Sequence, residues 1–247
     1  MRTANPALNA KTFTGLRAVD KSRMMTIQGT VHKTGFLLLL VLIGAWWTWN
    51  MFFTTHNPAA VYPWITGGAL GGLVLAIVTV FKKEWAGVTA PAYALLEGFV
   101  LGGISSIFEA MYHGIVIQAV GLTFGTLFCL LIAYRSGMIK VTQNFRLGVV
   151  AATGGIFVMY MATWLLGLFG INMPFIHDNG IIGIGVSVFI VVVAALNLVL
   201  DFDFIEHGAE HGAPKFMEWY AAFGLIVTLI WLYLEILRLL AKLNSRR

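Results

Sequence analysis

Apolar residues run through this chain in seven blocks, at about 34–54, 62–81, 88–108, 114–134, 147–169, 181–200 and 217–239. Each is near the 20 residues that a helix needs to cross the hydrocarbon of a bilayer. Charges or turn residues close every block. The third is the least uniform, because Glu97 interrupts it. Small residues recur at four-residue spacing: Gly67 with Gly71, Gly68 with Gly72, Gly98 with Gly102 and Gly121 with Gly125. On a helix that spacing makes a flat face for close packing against a neighbour. Aromatic residues gather near block ends, Trp46, Trp47, Tyr62, Trp85, Tyr134 and Trp219 among them, as an interfacial belt requires. The pattern predicts an all-α polytopic membrane protein of seven spans: a basic tail over 1–33, a helical domain over 34–239 and a short basic tail over 240–247.

Composition agrees. Of 247 residues, 59% are hydrophobic and only 11% charged, against about a quarter charged in soluble domains. Cys129 is the one cysteine, so no disulfide can form within the chain. The net charge of +5 does not point to nucleic acid, because the basic residues sit in tails and loops. With the amino terminus inside, the tail places Arg2, Lys11, Arg17, Lys21, Arg23 and Lys33 there. The inner loops add Lys82, Lys83, Arg135, Lys140, Arg146 and Lys215, while the three outer loops carry neither lysine nor arginine. That bias predicts a cytoplasmic amino terminus. The carboxyl end runs against it, with Arg238, Lys242, Arg246 and Arg247 outside. A six-span chain with a re-entrant last helix is the alternative. The length of 217–239 favours seven.

Ionisable groups inside spans cost about 2.5–3.5 kcal/mol each on insertion scales, so they mark candidate function. Asp201 follows an unbroken apolar helix, with the amide of Asn197 one turn deeper. Asp203 and Glu206 come next and read as solvated loop charges, entering a short wet turn that carries His207, Glu210 and His211. The last helix carries Thr228 and, two turns on, Glu235, with Arg238 three residues beyond as a local ion-pair partner. Glu97, midway along its span, either holds a proton or finds a donor. His207-x-x-Glu210-His211 has the spacing of an inverted zinc-peptidase motif. Gly208 and Gly212 argue against the helix that motif needs, so the cluster reads first as a solvated turn and next as a surface group that modulates gating through protonation or metal. No enzyme activity and no resident metal or cofactor are expected.

Seven spans, Glu97-Gly98 in the third, Asp201 closing the sixth and the Leu-Tyr-Leu-Glu235 helix at the end resemble the Bax inhibitor-1 (transmembrane Bax inhibitor motif) family. The opening NPALN and KTF, and the stretch from ALNLVLDFDFIE to YLEILRLL, are similar to its bacterial branch. The resemblance implies a last helix surrounded by the other six, in a bacterial plasma membrane. It implies a pH-sensitive calcium leak channel, gated by acids on the last two helices that share a proton when closed. Calcium or another cation would then be a transient passenger. Some bacterial relatives are instead regulators of a membrane-bound protease, which gives a non-conducting adaptor as the second reading. The sixth-helix acid corresponds to Asp201. The seventh-helix acid corresponds to Glu235 by the LYLE motif, or to Thr228 by an ungapped match of the whole helix. The resemblance thus makes Asp201, Glu235 and Glu97 the sensor and gate, and Thr228 and Asn197 the polar path.

Overall fold

The first helix starts where Thr26 accepts a hydrogen bond from the backbone N–H of Gly29, a side-chain cap for one of the helix's orphan donors. The computed structural model describes residues 24–170 and 180–245. Its helices are α1 (Ile27–Thr55), α2 (Tyr62–Phe81), α3 (Ala86–Met111), α4 (Ile115–Arg135), α5 (Gln143–Leu168), α6 (Ile181–Glu210) and α7 (Met217–Asn244). Among the described residues these seven are long and apolar enough to cross a membrane. The described residues are all-helical apart from short turns and one isolated bridge between Met24 and Pro214.

Three boundaries differ from the sequence reading. α1 begins at Ile27 and takes up residues assigned to the tail, because the Thr26 cap lies upstream of the apolar block. The tail's other basic residues, Arg2, Lys11, Arg17, Lys21 and Arg23, lie outside the described residues. α7 runs to Asn244, past the expected end at 239. α6 does not stop at residue 200; it continues through Asp201, Asp203, Glu206 and His207 to Glu210. Gly208 stays helical beneath Met25, and Gly212, at φ 65°, provides the left-handed stop. Thirty residues make a helix about 45 Å long. That exceeds the roughly 30 Å hydrocarbon thickness, and the acids of α6 all lie in its last ten residues.

α7 forms the centre. α1, α3, α4 and α6 pack around it, while α2 leans on α3 and α5 on α6. Four helices thus pack along the central α7, while α2 rests on α3 and α5 rests mainly on α6, reaching α7 through Tyr160. The small-residue faces explain part of this layering. A Cβ on Gly98 would meet the Gly44 Cα at 3.0 Å, and one on Gly102 would run into Ala45 and Thr48, so α1 and α3 approach to backbone contact. Gly68 does the same for α2 on α3, against Leu96 O, while Gly72 makes room for the Glu97 side chain. Gly121 and Gly125, predicted to pack, face open space among the described residues. The bundle's outer surface is apolar, with Leu39, Leu70, Ile117 and Ile182 all exposed. Such a surface is stable only against lipid.

One end of the bundle is closed around the α6–α7 turn. The Met25 N–H donates to Ala213 O at 2.7 Å. Glu218, in the first turn of α7, is buried and accepts from the Thr26 N–H and hydroxyl at 3.0 Å each, and from Lys33. Lys33 also lies over the Trp219 ring, and Lys83 over Tyr220.

Candidate functional site

Asp201 sits where α6 meets the middle of α7, and the backbone around it is not free to supply partners. Within an α-helix each N–H is already spent on a carbonyl four residues back, so a carboxyl here depends on side chains. On α7 the facing positions are Gly224 and Thr228. The Asp201 Oδ2 is shut off from solvent and has no hydrogen-bond partner. Buried polar atoms are paired in the great majority of cases, so this oxygen marks a stored cost. The Thr228 hydroxyl stands beside the carboxyl, but its hydrogen bond goes to Gly224 O at 3.2 Å, so the two oxygens compete for its single hydrogen. A neutral Asp201 resolves the competition by donating to the Thr228 oxygen. An ionised one accepts only.

Asp201 and Thr228 line a cavity of about 720 Å³ that opens among α2, α5, α6 and α7. Ala76 and Val80 form its α2 wall, and Arg146 stands at the α5 side. Asn197 also lines it, but its amide N–H groups go to the Thr153 hydroxyl and the Val193 carbonyl, both at 2.8 Å. The expected Asn197–Asp201 hydrogen bond is replaced by a tie between α6 and α5.

Asp203 is not the solvated loop charge read from sequence. It is 5% exposed, because the helix continues past it and turns it inward. Arg146 donates to its Oδ2 at 2.6 Å, and His207 Nδ1 lies 3.4 Å from its Oδ1. Glu206 likewise is held, by the Tyr134 hydroxyl. Glu210 is exposed. His207 and His211 stack one turn apart, ring centroids 5.9 Å, and each Nδ1 meets a backbone carbonyl one turn back at 2.9 and 2.8 Å. Among the described residues no group of three or more histidine, cysteine or acidic side chains is placed to hold a metal ion.

The remaining two acids stand apart from Asp201. Glu235 lies two turns beyond Thr228, about 10 Å further along α7. It is 2% exposed and fully engaged: Tyr160 of α5 donates at 2.9 Å, and Arg238 at 3.0 and 3.1 Å. Arg238 also donates to the Tyr160 oxygen at 2.6 Å, closing a three-member network. Glu97 points at α2, where a Cβ on Gly72 would sit 2.9 Å from its Oε1. Its neighbour on α3 is the Tyr93 hydroxyl, whose ring packs edge-on against Phe223 of α7 at 5.0 Å. Of the three acids read as sensor and gate, Asp201 alone faces the polar cavity, and Thr228, not Glu235, stands opposite it.

Sequence reasoning passed over several groups that matter here. Arg146 was counted only as an inner-loop charge, yet it neutralises Asp203. Lys33 was counted as a tail charge and Glu218 was given no role, yet they join α1 to α7. Lys242, counted outside against the charge bias, is buried with its ammonium on Ser187 Oγ and Gly183 O at 2.9 and 3.1 Å. An acid in the first turn of a helix suits the helix dipole, and that was the available signal for Glu218. Nothing local marks the other partners, which come from helices far apart in sequence.

A family model described as Bax inhibitor 1 like matches residues 5–245 of the chain. No curated protein matches it.

Proposed function

Because the chain belongs to the Bax inhibitor 1 like family, we propose that it is a proton-gated cation leak in a bacterial plasma membrane, with its amino terminus in the cytoplasm and Asp201 as the switch. The observation that supports this most is the buried, unpartnered oxygen of Asp201, a residue that lines the cavity among α2, α5, α6 and α7. A neutral carboxyl closes the α6–α7 contact by donating to Thr228. Loss of the proton leaves a carboxylate in the helix interface with one weak, contested donor. Buried charge without a partner is costly, so the interface relaxes by opening to water. The opened cavity then presents Asp201, Thr228 and the Asn197 carbonyl oxygen. Hard cations such as calcium take oxygen ligands of this kind. Threonine in place of a second acid makes this switch a single carboxyl rather than a pair sharing a proton. Arg146 pairs with Asp203, which leaves Asp201 as the cavity's carboxyl without a cationic partner among the described residues.

Calcium entry into proteoliposomes, followed with a trapped dye from pH 5 to 8, tests the proposal. Flux rises with pH in the natural protein. Asp201→Asn, fixed in a neutral form, stays at the low-pH level throughout. An Asp201→Asn protein that retains the natural pH profile removes Asp201 from gating. A natural protein with no flux at any pH favours a non-conducting regulator of a membrane-bound protease.

A further inference from the structure

A second cavity, of about 380 Å³, lies on the opposite flank of α7 and shares no residue with the Asp201 cavity. Its floor is the central helix itself, at Leu229, Ile230 and Tyr233. Its walls are α1 and α4, which flank α7 without substantial contact between them. Two features identify what it suits. Its polar groups are already satisfied: Tyr233 and Ser105 bond to each other at 2.6 Å, and the Thr123 hydroxyl donates to Ala119 O at 2.7 Å. The lining is otherwise apolar. The mouth is continuous with the lipid-facing surface, since its rim residues Leu42 and Trp46 are 62% and 65% exposed.

We propose that this crevice binds one acyl chain of a bilayer phospholipid, in the leaflet away from the basic loops. Trp46 lies toward the end of α1 and Val120 toward the start of α4, which places the crevice in that half of the bundle. Lipid tails are as apolar as leucine, so the preference comes from packing. A gap without partner atoms loses dispersion contacts along its whole lining, and a flexible chain entering from the adjoining bilayer restores them. The bound tail thereby becomes part of the wall that supports α7. This inference does not depend on how Asp201 acts.

Photolabelling of the reconstituted protein decides it. The probe is a phosphatidylcholine with a diazirine in one acyl chain, and adducts are mapped by peptide mass spectrometry. Leu229, Ile230 and Tyr233 are shielded from bulk lipid by the surrounding helices. Adducts there, together with those on outward residues such as Leu39, are the expected result. Val120→Trp, or Leu42→Trp if the first variant does not fold, fills the crevice and lowers adducts on 229–233 several-fold while leaving Leu39 labelled. Natural protein labelled only on outward faces overturns the proposal. So does labelling of 229–233 that neither variant reduces.

Discussion

At the scale of single residues, the difference between Asp201 and Glu235 is one of partners, not of depth alone. Both are carboxyls on apolar helices. Glu235 receives a hydroxyl and a guanidinium, whereas Asp201 has an oxygen with none. Removing Arg238, whose side chain is 42% exposed, leaves Glu235 buried with only Tyr160. We expect Arg238→Ala to cost about 1–3 kcal/mol, the usual penalty for an orphaned buried polar group. Thermal unfolding in detergent checks this, and adding Glu235→Gln should recover part of the loss. Thr228→Asp would put a second carboxyl beside Asp201. Two acids in contact hold one proton between them strongly, so half-activation of calcium flux should move to higher pH. An unchanged midpoint would show that the two positions do not meet. Glu97 shows how far residue-level reading extends: its midspan position marked it as unusual, but only its surroundings separate it from the cavity.

At the scale of elements, the entry of α7 depends on α1. Glu218 is buried at the first turn of α7, and its donors come from Thr26 and Lys33. Gly29 makes room for that carboxyl; any Cβ there would overlap it. Lys33→Met removes the cation on a buried carboxylate whose remaining donors among the described residues, the Thr26 N–H and hydroxyl, are neutral. A loss on the order of 3 kcal/mol is expected from breaking such a pair. Gly29→Val should destabilise as well, by steric overlap with Glu218. Paired melting curves for the two variants check both statements. α6 shows the opposite relation between pattern and element. Its apolar block ends at residue 200, but the helix does not, because Asp203 and Glu206 find Arg146 and Tyr134 on neighbouring helices. Charges that read as a boundary are absorbed by tertiary partners.

At the scale of the whole molecule, seven crossings would place the two ends of α7 on opposite faces of the membrane. The excess basic charge of the α7 carboxyl end, which opposes the loop bias, is partly consumed inside the bundle: Arg238 pairs with Glu235 and Lys242 is buried on the start of α6. A Cys129→Ser background with a single cysteine at Lys215 or at Ser245 tests the arrangement in sealed vesicles. An impermeant maleimide should reach one position from outside and the other only after permeabilisation; equal labelling of both from one side would indicate a re-entrant last helix. The order of seven apolar helices, their approximate limits and the identity of the unusual acids were legible in the sequence, because hydrophobic length and buried charge are local properties. Which acid faces which partner was not. Arg146 and Asp203 are 57 residues apart, Tyr160 and Glu235 are 75, and Lys33 and Glu218 are 185. Such pairs depend on the rotation and depth of each helix against its neighbours. Those are set by backbone-to-backbone contact at Gly98, Gly102 and Gly68 and by the packing around α7, so the tertiary structure decided between Thr228 and Glu235, the two partners that the sequence left open for Asp201.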